Sequence, residues 1–274
     1  MSKPRVFETE CKSLMTKSGI ASVDYAVNPY LGCEHACSYC YATFMTRFSG
    51  IKDEWGSFVG VKVNAPDVLR REIPRRSPGV VTFGTVCDAY QPVEEERRIT
   101  RECLEAFVGT EGFEVGVLTK SDLVVRDIDV LSKLESADVG FSITTLDREL
   151  ADVFEPRAAS PSRRLTAMRE VARAGIAVWG FFGPILPTFS DGDDELAEMF
   201  EAMAQSGASR VLVDTMNLYP KVRGTVRKVI ASEFPDHAAA FEGVLADPGV
   251  YAAELSERAR AAASAVGIEA DVFF

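Results

Sequence analysis

The 274 residues include 30 Lys and Arg against 41 Asp and Glu, a formal charge of −11 at pH 7, with 47% hydrophobic and 26% charged residues. This is the composition of a globular protein with a full core, and its acidic average surface weighs against nucleic acid as a partner. No apolar run approaches the ~20 residues that span a bilayer, the N-terminal MSKPRVFETECKS lacks an apolar signal stretch, and the cysteines suit a reducing compartment, so a cytoplasmic protein with no membrane partner is expected.

Short β-branched runs alternate with amphipathic stretches along the chain, the pattern of strand–helix units. Residues 24–28 (DYAVN) form the first predicted strand. A helix over 65–73 follows Asn64, carries Asp67 in its first turn and stops at Pro74. Strand 80–86 (VVTFGTV) precedes a helix over 93–107, with Glu94, Glu95 and Glu96 near its positive end. Strand 114–119 and a short helix over 128–134 come next, then strand 139–144 and helix 161–174, closed by Gly175. Strand 178–182, helix 193–205 ending at Gly207, and strand 210–214 complete six units. Beyond Tyr219 the pattern is helical, over 224–233, 236–245 and 250–266, and the apolar 268–274 either adds a strand or packs as a plug.

Six successive units predict an α/β fold: a parallel sheet with right-handed crossovers, curled into a partial (β/α)6 TIM-type barrel with a C-terminal helical extension. Residues 1–220 would form the barrel and 221–274 an extension packed on the same domain. Functional groups of such barrels gather at the C-terminal ends of the strands, and the polar clusters lie there. Residues 33–40 follow the first strand, Cys87, Asp88, Tyr90 and Gln91 the second, and Lys120, Ser121 and Asp122 the third. Thr144 and Thr145 follow the fourth, Pro184 and Pro187 the fifth, Asp214 and Asn217 the sixth.

Cys33, Cys37 and Cys40 are spaced C-x3-C-x2-C. Structural zinc takes four protein ligands, and a ferredoxin cluster takes four cysteines. Three thiolates on a [4Fe-4S] cluster leave one iron open to an external ligand. Zinc would need a fourth ligand from His35, His237, Cys11, Cys87 or Cys103. His35 lies inside the triplet, where reaching back would strain a short loop, and Tyr39 before the last cysteine serves no purpose in a zinc site.

The spacing closely resembles that of the radical S-adenosylmethionine (SAM) superfamily. The run from Asn28 to Ala42, NPYLGCEHACSYCYA, resembles its spore photoproduct lyase branch, as do Asp88-Ala89-Tyr90-Gln91-Pro92-Val93-Glu94, Leu118-Thr119-Lys120-Ser121, Arg126-Asp127 and Glu155-Pro156-Arg157. The likeness covers about residues 15 to 220. It implies a [4Fe-4S] cluster on Cys33, Cys37 and Cys40, with SAM chelated at the open iron. One electron then releases methionine and a 5′-deoxyadenosyl radical that takes hydrogen from substrate, in a lyase or transferase-type reaction. An external one-electron reductant of flavodoxin or ferredoxin type is implied as well.

The resemblance places Tyr39 against the adenine and Lys120 at the methionyl carboxylate, which suits a compact ammonium charge. Ser142 or Thr144 would donate a hydrogen bond nearby, and Asn217 would reach the ribose or substrate. The superfamily's Gly-Gly-Glu element is replaced by Phe83-Gly84-Thr85-Val86-Cys87-Asp88. Asp88 is therefore the candidate for the SAM amino group, or else a cap of the following turn. Cys87 stands near the place where spore photoproduct lyase carries a hydrogen-donating cysteine and is the catalytic candidate; the alternative is an inert buried thiol. Tyr90, Gln91, Glu155 and Arg157 are candidate substrate residues, with a buried guanidinium paired to Glu155 as the structural alternative. His35 either donates to a cluster sulfide or caps the loop.

Cys11 and Cys103 carry no expected role, and Cys103 sits beside Leu104 and Phe107 in a core pattern. Arg70, Arg71, Arg75 and Arg76, and again Arg157, Arg163 and Arg164, read mostly as solvated faces. Three functions follow: a radical SAM enzyme for a small or other non-DNA substrate, a nucleic-acid lesion repair or base-modifying enzyme, and a non-catalytic metal-binding or electron-transfer protein. The acidic charge favours a small-molecule substrate.

Overall fold

All six predicted strands form in the computed structural model, which describes residues 3–46 and 50–274, and they line up in chain order. Among the described residues the strands are β1 (Arg5–Thr9), β2 (Met15–Lys17), β3 (Tyr25–Val27), β4 (Tyr30–Leu31), β5 (Phe58–Lys62), β6 (Gly79–Phe83), β7 (Phe113–Thr119), β8 (Ser136–Ser142), β9 (Ala177–Ile185), β10 (Arg210–Thr215) and β11 (Glu269–Val272). The main sheet runs β2-β3-β6-β7-β8-β9-β10-β11. Its strands from β3 onward pair in parallel, and β2 joins β3 antiparallel. The sheet is open: β2 and β11 are its edges and do not pair with each other. β11 resolves the ambiguous C-terminal segment as a strand, with Val211 opposite Ala270.

Register gathers the functional loops. Val27 pairs with Phe83, Phe83 with Val117, and Thr119 with Phe141, so neighbouring strands end at nearly one level. Gly84 follows β6 at φ +91, and a Cβ there would lie 2.5 Å from the Leu118 carbonyl oxygen. Only glycine allows that turn to lie so close to β7.

A second sheet, β1-β5-β4, was not anticipated. β5 pairs in parallel with β1 and antiparallel with β4, which leads directly into Cys33. It brings residues 54–58 alongside the cysteine loop.

Among the described residues the α-helices are α1 (Ala65–Glu72), α2 (Glu94–Arg97), α3 (Ile99–Glu105), α4 (Ile128–Leu131), α5 (Arg148–Phe154), α6 (Pro161–Arg173), α7 (Asp193–Gln205), α8 (Pro220–Glu233), α9 (Ala238–Ala246) and α10 (Pro248–Val266). The expected helix over 93–107 is broken at Arg98, which adopts a left-handed conformation, φ 54. The buried Glu94 carboxylate accepts from the Thr100 N–H at 2.9 Å and so caps a second helix where one continuous helix was expected. α5 was not predicted; Asp147 caps it, accepting from the N–H groups of Glu149 and Leu150.

The C-terminal helices share the sheet's core. Leu255, Ala259 and Ala263 of α10 pack with Leu196, Met199, Phe200 and Met203 of α7. Val222, Val226 and Ile230 form one stripe of α8, spaced by four residues, and pack with Cys37, Tyr39 and Phe154. α8 thus backs the cysteine loop. Each large apolar side chain so buried stabilises the fold by about 1.5–3 kcal/mol. No helix among the described residues is long and apolar enough to cross a membrane.

Candidate active site

The cysteine loop is held from three sides. The Ser38 N–H donates to the Phe154 carbonyl at 2.9 Å, and the Glu34 N–H to Oε1 of Gln91 at 2.9 Å. Arg157 donates from Nη1 to the Glu34 carbonyl at 3.2 Å and to the Gly56 carbonyl at 2.7 Å, tying the loop to the segment before β5. Gly56 makes that approach possible: its φ is +86, and a Cβ there would sit 2.4 Å from the Ala36 side chain.

Cys33, Cys37 and Cys40 are free thiols that line one cavity at the C-terminal ends of β6 to β10. Burial pushes all three thiols up; at Cys33 the charges of Asp88 and Cys37 add to it, and at Cys37 Glu155 adds while Lys120 opposes. Among the described residues no three His, Cys, Asp or Glu side chains close on a common point. A [4Fe-4S] cluster takes one thiolate per iron, so its cysteines need not share one point, and binding deprotonates them. Three buried donors find no hydrogen-bond partner among the described residues: the Tyr90 hydroxyl, off the cavity wall, the Ser38 hydroxyl, inside the cysteine loop, and the Trp55 indole N–H, on a residue lining the cavity. Cluster sulfide and thiolate are acceptors that would satisfy the last two. The residues fit such a cluster, which Cys33, Cys37 and Cys40 would hold.

Asp88 is the most heavily bonded group on the rim. Oδ1 accepts from the Tyr90 N–H at 2.8 Å and the Thr119 hydroxyl at 2.7 Å; Oδ2 accepts from the Lys120 N–H at 2.7 Å and lies 3.4 Å from Nδ1 of His35. Burial opposes its ionisation, but His35, the Lys120 N–H and the Thr119 hydroxyl outweigh that and hold the carboxyl at about 2. Asp88 therefore buckles the β6 loop to the end of β7 and to the cysteine loop.

Lys120 points its ammonium at the Ser142 hydroxyl, 3.8 Å from Glu155 and 5.7 Å from the centre of the Tyr39 ring. Ser142 donates to the Gly183 carbonyl at 3.0 Å. Behind this layer the Tyr39 and Thr144 hydroxyls converge on Oε1 of Glu155, while Arg164 takes Oε2 and donates to the Ser142 carbonyl at 2.9 Å. Arg164 was expected among solvated arginines; it is 1% exposed, and it is the partner of Glu155.

Tyr39, Cys87, Asp88, Lys120, Ser142 and Asn217 share the cavity wall with the three cysteines. The Cys87 thiol donates to Oδ1 of Asn28 at 3.6 Å, and Asn217 accepts from the Tyr219 N–H at 3.0 Å. Thr144 and Glu155 lie one layer behind. Tyr90 and Gln91 are wholly buried off the wall; Gln91 spans from Glu34 to the Gly32 and Asp88 carbonyls. Arg157 lines a neighbouring cavity, whose wall it shares with His35 and Arg163. Trp55, Tyr41 and Asp214 also stand on the wall, and none of them was given a role from the sequence. Asp214 belongs to a rim cluster that strand order identified; Tyr41 follows the last cysteine directly; Trp55 is brought in by the unanticipated sheet.

The open sheet thus carries three cavity-lining thiols on the loop that follows β4. The radical SAM superfamily model matches residues 27–203, and the chain belongs to that superfamily. It is 34% identical over 190 residues to an uncharacterised protein of Methanocaldococcus jannaschii, covering 69% of this chain and 71% of that one. It is 25% identical over 199 residues to spore photoproduct lyase of a Geobacillus species, covering 71% of this chain and 55% of that one. Its fold is that of spore photoproduct lyase: the structure of that enzyme complexed with dinucleoside spore photoproduct superposes with a TM-score of 0.73 at 19% identity, over 97% of this chain and 81% of that one.

Proposed function

We propose that this chain is a radical SAM enzyme that removes a hydrogen atom from a compact substrate with no extended run of phosphates. The observation that carries the reading is the charge of the cavity wall. Among the described residues lining it, Lys120 is the one Lys or Arg, against Asp88 and Asp214. A nucleic-acid strand is bound chiefly through its phosphates by several Lys and Arg, and this wall offers only Lys120 among its described residues.

The cluster and SAM supply, when bound, the electron transfer and reductive bond cleavage that generate the hydrogen-abstracting radical. The chain's own residues bind, orient and shield. Cys33, Cys37 and Cys40 hold the cluster, Lys120 meets the methionyl carboxylate, and the Tyr39 ring, fixed by Thr144 and Glu155, forms a wall for the adenine. Burial, opposed by Lys62, pushes the Cys87 thiol up to about 12. It therefore keeps its hydrogen at neutral pH, and Asn28 orients it, so Cys87 is set to return a hydrogen atom to a product radical. The electron comes from an external one-electron donor of flavodoxin or ferredoxin type.

A second reading is lesion repair on a nucleic acid, favoured by the fold shared with spore photoproduct lyase. One experiment separates the two. Anaerobically reconstituted, dithionite-reduced protein is given SAM and 5′-deoxyadenosine is measured, alone, with dinucleoside spore photoproduct, and with a panel of small metabolites. Acceleration by a small metabolite supports the first reading, and acceleration by the dinucleoside lesion the second. No 5′-deoxyadenosine under any condition removes both and leaves a metal-binding or electron-transfer protein.

A further inference from the structure

Trp55 lies outside every loop that follows a strand of the main sheet, yet it lines the cavity with the three cysteines. Its placement is built. The Gly56 backbone presses on Ala36 of the cysteine loop, Arg157 bonds both the Gly56 and Glu34 carbonyls, and the Trp55 ring meets Phe58 edge-on at 6.5 Å. The result is an indole N–H that is buried with no hydrogen-bond partner among the described residues. Leaving such a donor unpaired costs about 1–3 kcal/mol. The Cys40 sulfur lies beside the indole, short of a formed hydrogen bond, on the same cavity wall.

We propose that Trp55 is a positioning residue for the cluster, donating an N–H···S hydrogen bond to the Cys40 thiolate and raising the cluster's reduction potential. The inference rests on the radical SAM reading above. A hydrogen bond to cluster sulfur stabilises the reduced form, which carries one more negative charge, more than the oxidised form. It therefore eases entry of the electron on which the chemistry depends. Arg157, set apart from the cavity, contributes by holding the Trp55 segment against the loop.

The chain has two tryptophans. Trp179 lies off the cavity wall and donates its own N–H to Asp138 at 2.5 Å, so indole-nitrogen labelling reports on Trp55 alone near a cluster. Wild-type protein carrying indole-¹⁵N tryptophan is reconstituted, reduced and studied by pulsed EPR. A ¹⁵N hyperfine coupling to the reduced cluster is expected, and its absence from a loaded cluster overturns the inference. Midpoint potentials are then compared among wild type, Trp55→Phe, and protein with benzothienylalanine at position 55, which keeps the indole shape but lacks the N–H. The expected result is about ten-fold less reduced cluster at a fixed potential, a fall of ~59 mV for one electron. An unchanged potential in the isostere overturns the proposal even if Trp55→Phe fails to load. Failure of the wild type to assemble any cluster would instead sink the radical SAM reading itself.

Discussion

The hydroxyl of Tyr39, one residue before the last cysteine of the loop, donates a hydrogen bond to the carboxylate of Glu155, 116 residues further along the chain. The same carboxylate receives Thr144 and Arg164, so one buried anion joins the cysteine loop, the end of β8 and helix α6. Removing one partner of a buried pair leaves the other uncompensated. Glu155→Gln should destabilise the cluster-free protein by about 3–5 kcal/mol, read from urea unfolding. A loss under about 1 kcal/mol would show that Arg164 is satisfied by its carbonyl partners alone.

The same group sets an acid limit. Burial opposes ionisation of Glu155, but Arg164 and Lys120 outweigh it and hold the carboxyl at about 2, below its ordinary 4.5. Asp88 is likewise held at about 2, against 3.8. Both folded values are depressed, so their contribution to stability is complete above pH 4.5 and is lost as the pH falls toward 2. The stability difference between wild type and Glu155→Gln should therefore shrink from about pH 6 to about pH 3. A difference that stays constant over that range would contradict the assignment.

Cluster assembly is the direct test of the cysteine loop. Reconstituted protein should bind about four irons and four sulfides. Cys33→Ala, Cys37→Ala and Cys40→Ala should each abolish this, and Cys11→Ala should leave it intact. Stoichiometric zinc in tetrahedral sulfur coordination, with no charge-transfer absorption, would refute it.

Lys120→Ala should weaken SAM binding about ten- to a hundred-fold, the loss expected for a hydrogen bond to a charged group. Iron content should not change, because the lysine binds no metal. Titration of the loaded protein with SAM measures it, and equal affinity would remove Lys120 from the site.

Cys87→Ala should leave 5′-deoxyadenosine formation intact and alter the product, since cleavage and hydrogen return use different groups. Mass spectrometry of the substrate pool reads the outcome. Unchanged products would make Cys87 a packing residue.

The six main strands were legible because each is a short β-branched or apolar run between turn signals, and their shared C-terminal rim placed Cys87, Asp88, Lys120, Ser142 and Asn217 on one cavity wall. What stayed hidden depends on distant partners. β1 and β5 are five residues each, and their pairing joins positions 5–9 to 58–62. The seven-residue α5 is too short for a helical period to show. The break at Arg98 follows from the side chain of Glu94 competing for backbone N–H groups. Tyr90 and Gln91 read as polar rim residues, yet the chain turns there and buries both. Arg157 stood beside Glu155 in sequence, but Arg164, on the inward face of α6, reaches it.

The last strand has a bearing on how the chain behaves in company. β11 covers the backbone of β10, and the Phe273 N–H adds a bond to the Val213 carbonyl at 3.1 Å. Without residues 268–274, β10 would offer a row of unpaired amides beside the apolar Val211 and Val213, a ready template for a second chain. At the opposite edge β2 is only three residues long and ends on the exposed Lys17, a poor surface for recruitment. β11 then becomes the open edge itself, but a four-residue one carrying Glu269 and Asp271, so the selvage of the sheet is short and charged where β10 would have been long and apolar.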